Sequence, residues 1–201
     1  LKWKEPKRIF TCSWSDFFIE EADAWRHDAW QVIRQTPQHT WQILTKRPER
    51  IAACLPQDWG EGYRNVWLGV SVENAGKFDE RVPVLNKIPC AVRFISFEPL
   101  LDLIPITSTR YELMTKVQWI IIGGESGNET GAYRYRPCEL EWIRHILWNM
   151  PSYTAAFVKQ LGTHLAKQLN LKDRHGADMT EWEDAWLRFR EFPVLVDDTT
   201  H

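Results

Sequence analysis

Apolar and β-branched residues gather in six short runs, each closed by polar, Gly or Pro residues and usually followed by a helical pattern. The runs begin at Arg8 (RIFTC), Thr40 (TWQILT), Val66 (VWLGVS), Val92 (VRFIS), Gln118 (QWIIIG) and Ala155 (AAFVK). Runs of this length and composition read as buried strands. Their starts are 32, 26, 26, 26 and 37 residues apart. A (β/α)8 barrel spends roughly 250 residues on eight units, about 31 per unit, so the rhythm predicts a chain of βα units. An open doubly wound sheet has a similar rhythm and stands beside the barrel at this stage.

The segments between the runs predict helices. Ala22, Trp25, Ala29, Val32 and Ile33 fall on one helical face, and that helix stops by Thr36 because Pro37 follows. Pro48 opens a shorter helix carrying Ile51 and Leu55, and Val82 and Leu85 mark another. Pro137 is read as the first residue of a helix with the stripe Leu140, Ile143, Leu147 and Met150, ending before Pro151. Leu161–Met179 reads as irregular, with a short helix around Thr163–Leu169. Thr180 and Glu183 form a capping-box pattern ahead of a last amphipathic helix through Trp182, Ala185, Trp186 and Phe189. The expectation is an α/β fold: a parallel, TIM-barrel-like (β/α) barrel over residues 1–201, with 162–201 as a C-terminal helical extension. Only six strands are visible and the chain opens on Leu1, so the barrel is expected to be incomplete at its N-terminus.

Composition changes this picture little. The 201 residues are 44% hydrophobic and 26% charged, which excludes disorder and low complexity. With 25 basic against 27 acidic residues the formal charge is −2, so a nucleic-acid role requires a local patch. No run approaches the roughly 18 apolar residues of a membrane span, and a soluble, cytoplasmic protein without a membrane partner is expected. Cys12, Cys54, Cys90 and Cys138 lie 42, 36 and 48 residues apart, without metal-ligand spacing. The 12 tryptophans, several on helical stripes, are assigned first to core packing.

Ligands of parallel α/β folds bind at the carboxyl ends of the strands. Those positions here are polar six times in succession: Ser13, Ser15 and Asp16; Thr45, Lys46 and Arg47; Ser71, Glu73 and Asn74; Ser96 and Glu98; Glu125 and Ser126; Lys159 and Gln160. Gly123-Gly124-Glu125-Ser126-Gly127 is the most specific, since its glycines let backbone approach a ligand closely and leave Glu125 as the charge presented there. Its structural alternative is a tight turn with a solvated Glu. Glu98 and Glu125 at one mouth can bind an amine or metal, or exchange protons. Lys46 and Arg47, before the Pro48 helix, suit an anion or form a solvated pair. Lys159 ends an apolar run, which fits an anion partner, an acid–base role, or a salt bridge to Glu98 or Glu125. Walker, GxGxxG, GxSxG and HExxH patterns are absent.

Taken in order, PKRIFTCSWSDFF, PQHTWQILTKRPER, NVWLGVSVEN, ERVPVLNKIPCAVRFISFEPLL, WIIIGGESG, FVKQLG and the ending KDRHGAD with LRFREFP resemble one family. It comprises phage- and prophage-associated proteins of uncharacterised function similar to the radical S-adenosylmethionine (SAM) superfamily. The resemblance implies that the full-length protein is a barrel that binds SAM and a four-iron iron–sulfur cluster and acts on an unknown, nucleotide-related or nucleic-acid substrate, and that this chain alone is inactive. Protein partners stay unassigned. In that family the cluster cysteines lie upstream of the block matching Pro6–Phe18, so none of the four cysteines here is assigned to iron and no residue to a metal. By resemblance, Glu98, Glu125 and Lys159 are the catalytic candidates. Ser71, Glu73, Gly123, Gly124 and Ser126 would face SAM, and Ser15, Asp16, Thr45, Lys46, Arg47 and Gln160 the substrate. Two further readings stand beside this one: a non-catalytic barrel that binds a nucleotide or a protein, and a non-radical enzyme using Glu98 and Glu125 for acid–base work.

Overall fold

A computed structural model describes residues 3–195. Six strands form one parallel sheet in sequential order: β1 (Arg8–Phe10), β2 (Thr40–Thr45), β3 (Val66–Ser71), β4 (Val92–Phe97), β5 (Trp119–Gly123) and β6 (Ala155–Gln160). Six helices lie between or after them: α1 (Asp23–Arg34), α2 (Pro48–Cys54), α3 (Ala75–Leu85), α4 (Ser108–Met114), α5 (Leu140–Asn149) and α6 (Gly162–Gln168). The order settles the alternative left open above. A doubly wound sheet reverses direction partway, whereas each strand here pairs with its successor, so right-handed crossovers put the helices on one face and curl the sheet into a half-barrel.

The strands' two faces carry different cores. On the convex face Ile43, Leu68, Ile95, Ile120 and Val158 pack with helix residues such as Trp30, Phe78, Val82 and Ile143. On the concave face Trp67, Val92, Phe94, Trp119 and Ile121 form a second cluster with Leu44, Phe157 and Phe192, and no helix residue takes part. Strand alternation produces this split, since neighbouring side chains point to opposite faces.

Three expectations are corrected. On α1 the buried face runs through Ala22, Arg26, Trp30 and Ile33, while Trp25 and Val32 are exposed. The polar Arg26 takes the inward position because its guanidinium donates to Phe17 O at 3.0 Å and Ile19 O at 2.7 Å, satisfying carbonyls of the preceding loop. Helix α5 begins at Leu140, three residues after Pro137, although its stripe holds: Ile143 and Leu147 are buried. The last amphipathic helix is replaced by two single 3-10 turns, Met179–Glu181 and Ala185–Leu187. Asp178 caps the first by accepting from Thr180 N at 2.9 Å, which pre-empts the Thr180–Glu183 box.

Within the expected helical extension α6 is therefore the one α-helix among the described residues; positions 196–201 lie outside them. Past the 3-10 turns the chain runs back along β6, antiparallel to it. Val158 N donates to Phe189 O at 3.0 Å and Glu191 N to Ala156 O at 2.8 Å. Trp119 Nε1 then donates to Glu191 O at 2.9 Å, and the Arg8 guanidinium sits 3.8 Å over the Phe192 ring. The tail thus covers the free edge of β6 and, through Phe192, reaches β1 across the open side of the half-barrel. No helix among the described residues is long and apolar enough to cross a membrane.

Candidate functional site

The carboxyl ends of the strands form a mouth in which acids and bases pair across neighbouring loops. After β1, the buried Asp16 accepts from Thr45 Oγ1 at 2.7 and 2.9 Å, Lys46 N at 2.9 Å and Phe18 N at 2.9 Å, and meets Arg47 Nη1 at 3.2 Å. These contacts stitch the β1 loop to the β2 loop, so Asp16 and Thr45, expected at the substrate, are occupied with each other. Ser13 and Ser15 are exposed beside this stitch, as is Trp14, at 98% exposure.

Lys46 turns instead toward Glu73, 2.7 Å away. Glu73 also takes Arg81 Nη1 at 2.9 Å, and the same Nη1 donates to Ser71 O at 2.8 Å. Burial works to raise the Glu73 pKa, but the Lys46 hydrogen bond and the charges of Lys46 and Arg81 outweigh it and hold the carboxyl below its ordinary value. Arg81 escaped the sequence reading because it lies on α3, away from any strand end; its spacing of eight residues from Glu73 was the available signal.

Glu125 is held by Arg136, which gives it Nε at 2.9 Å, Nη2 at 2.5 Å and its backbone N at 2.8 Å. This bidentate bond is the main cause of a lowered Glu125 pKa, and Lys46 adds to it. A carboxylate so held is a poor proton carrier; its contacts tie down the segment from 125 to 136. Arg136 was not singled out from the sequence either. Ser126 is exposed, and Gln160 Nε2 donates to Gly124 O at 2.9 Å.

Glu98 and Lys159 make the remaining pair, with Nζ 2.9 and 3.1 Å from the two carboxylate oxygens. They come from β4 and β6, which are not adjacent, so the pair passes over β5 at Gly123. A Cβ there would stand 3.2 Å from the Glu98 carboxyl carbon. Gly124 serves a different purpose, because a Cβ on it would meet Leu161 O at 2.1 Å: backbone passes against backbone where β6 turns into α6. Of the salt-bridge alternatives for Lys159, the one with Glu98 is formed.

Below this pair the concave face holds a cavity of about 400 Å3, lined by Ser96, Gln42, Phe10, Leu44, Trp119, Ile121, Phe157, Arg190 and Phe192 as well as Glu98 and Lys159. A second, of about 530 Å3, lies under the β1 loop against Lys46, Arg47 and Ser71. A third, of about 690 Å3, is on the outer side between α1 and residues 53–58, away from the strand ends. There Arg34 is paired with Asp58 at 2.9 Å and Arg26 with Asp23, leaving little charge to offer a ligand.

The cysteines do not come together. Cys138 is buried and its thiol is pushed up to about 12; burial likewise lifts Cys90 to about 11. Among the described residues no three His, Cys, Asp or Glu side chains are grouped to hold a metal ion.

Searches among curated proteins and among solved structures gave no match. The model of a family described as "Protein of unknown function (DUF5131)" matches residues 1–188. A match over that share of 201 residues places the chain plainly: it belongs to the DUF5131 family.

Proposed function

We propose that the mouth binds the amino-acid end of S-adenosylmethionine, as part of a radical-SAM-like protein acting on a nucleotide-related substrate. The observation that carries the reading is the Glu98–Lys159 pair, a carboxylate and an ammonium lying over the bare backbone of Gly123. An α-amino acid presents the complementary pair of charges. Its ammonium replaces Lys159 at Glu98 while its carboxylate replaces Glu98 at Lys159, so no charge is left unmatched. Lys159 keeps about half of its side chain exposed and can swing aside. Ser71 ends the neighbouring strand β3 and Glu73 lies two residues beyond it, where, fixed by Lys46 and Arg81, it can accept from a ribose hydroxyl. Gly124 and Ser126 follow Gly123 in the loop after β5. Lys46 and Arg47 supply positive charge for an anionic substrate.

Bound SAM supplies a sulfonium whose carbon–sulfur bonds are activated for cleavage. The residues of this chain bind and orient it. The implied four-iron cluster is a different matter: the four separated cysteines of this chain, two of them with strongly raised pKa, do not fit it. One observation favours the second reading, a barrel that binds a nucleotide or a protein without chemistry. Glu73 and Glu125 are both held ionised by cations, which suits fixed binding better than proton transfer and weakens the acid–base alternative.

Calorimetric titration with SAM, S-adenosylhomocysteine and a deaminated SAM analogue tests the proposal. The first two should bind and the third should not. Glu98→Gln and Lys159→Met should each weaken SAM about tenfold or more, the value of one charge-assisted hydrogen bond of about 1.5–3 kcal/mol. Failure of the folded protein to retain SAM at millimolar concentration, or equal retention by both variants, overturns it.

A further inference from the structure

We infer that the cavity inside the half-barrel, which Glu98 and Lys159 border where it meets the mouth, is a second binding site, for a planar nitrogen heterocycle of the nucleobase type. Three observations converge on it. Gln42 lies mid-strand on β2, faces the concave side and lines the cavity; it is 6% exposed, and its amide nitrogen has no hydrogen-bond partner. A primary amide buried without a partner is costly, and a bound acceptor would remove that cost. Its lateral neighbour in the sheet is Trp67, whose buried indole nitrogen also lacks a partner, so two unused donors stand side by side on one face of the sheet.

The walls supply the second observation. Trp119, Phe157 and Phe192 bring their rings within 5.3–6.0 Å of one another, and Phe10 faces them from β1. Aromatic walls favour a flat ring, which stacks or meets them edge-on, over a flexible chain. The space of about 400 Å3 lies toward the small end of the roughly 300–1,000 Å3 common for ligand sites, which suits a nucleoside rather than a polymer.

The third observation is Arg190. It sits 4.7 Å over the Phe157 ring and donates to Lys159 O at 3.1 Å and Ala177 O at 2.9 Å. Among the described residues no carboxylate comes within ion-pairing distance of it, so its charge is open to an anionic substituent. Gln42 reads the ring through its amide, as glutamine does with the paired donor and acceptor of adenine, and Arg190 meets a phosphate if one is present.

This inference does not rest on the reading of the mouth, and the two fail separately: loss of SAM binding leaves nucleoside binding to be measured. The experiment is equilibrium dialysis of the four ribonucleosides and their 5′-monophosphates against the wild-type protein and Gln42→Met, with thermal unfolding of both. The expected result is micromolar to submillimolar binding of at least one nucleoside, weakened tenfold or more in Gln42→Met. That variant should unfold no lower than wild type, because an apolar side chain of similar size replaces an unpartnered amide. Tighter binding of the monophosphate, lost in Arg190→Met, assigns the phosphate to Arg190; equal binding assigns the site to the nucleoside alone. No binding of any of the eight compounds, or unchanged binding in Gln42→Met, overturns the inference. Binding abolished by saturating SAM would mean one shared site and overturns it too.

Discussion

Replacing Gly124 with alanine should unfold the protein at a markedly lower temperature, and the structure gives the size of the effect. The new Cβ would stand 2.1 Å from Leu161 O, 2.8 Å from Leu161 C and 3.0 Å from Gly162 Cα, all backbone atoms. Relief to ordinary contact requires a shift of about 1 Å. The crossing is pinned by Gly124 N to Gln160 O at 3.1 Å, Leu161 N to Gly176 O at 2.9 Å, Gly162 N to His175 O at 3.0 Å and Thr163 N to Glu125 O at 2.9 Å. Overpacking costs about 1–3 kcal/mol, and each backbone hydrogen bond given up adds about 1 kcal/mol. A total near 3–4 kcal/mol follows. For a chain of this length each kcal/mol moves the midpoint by roughly 2.4 °C, so Tm should fall by about 7–10 °C. Gly60→Ala is the matched control: Gly60 has φ +53° but nothing within 4 Å of its Cβ. It should lose only the roughly 1–2 kcal/mol of left-handed strain. Thermal unfolding followed by circular dichroism measures both variants under one condition. If Gly124→Ala loses no more than Gly60→Ala, the interlocked crossing does not constrain the mouth as argued.

Other consequences can be measured alongside. Glu73 and Glu125 are held below the ordinary glutamate value of 4.5, so in acid the unfolded chain takes up their protons first. The stability they contribute is complete above about 4.5 and lost as pH falls through their folded values. Carboxyl carbon titration by NMR should place both midpoints below 4.5, and a midpoint at or above it would contradict the ion-pair geometry. Arg81→Met removes one of two cations from a buried carboxylate and should cost about 3 kcal/mol, the low end for breaking a buried pair, because Lys46 remains. Adding Glu73→Gln to it should cost less than the two changes summed; simple additivity would mean the pair is not coupled.

The strands were legible because buried parallel strands are written as local apolar runs. Arg8, Thr40, Val66, Val92 and Ala155 are both the expected and the observed first residues, and β5 begins one residue after Gln118. Strand order was not legible, since spacing alone fits a singly or a doubly wound sheet. Helix α4 was missed because STRYELM buries only Met114 and shows no apolar stripe. The α1 face was misjudged because a buried arginine that satisfies carbonyls is invisible to hydrophobic periodicity. At the mouth, the polar positions could be placed at strand ends from the apolar runs that precede them. What each does depends on partners such as Arg81 and Arg136, which lie off the strand ends and which only the three-dimensional structure pairs with Glu73 and Glu125. Gln42 was passed over for the opposite reason: one polar residue inside TWQILT looks like ordinary alternation until its face turns out to be the concave side of the half-barrel.

The segment that returns along β6 supplies one wall of the inner cavity. Residues 189–192 contribute no strand to the parallel sheet, yet Arg190 and Phe192 line the inner cavity and Phe192 meets Arg8 across its open side. The family match ends at residue 188, immediately before this segment. A chain cut there would keep all six strands and every ion pair of the mouth, while its interior would open to solvent between β1 and β6. Changes confined to residues 189–192 would therefore alter the lining of the inner cavity while leaving the six strands and the ion pairs of the mouth unaltered.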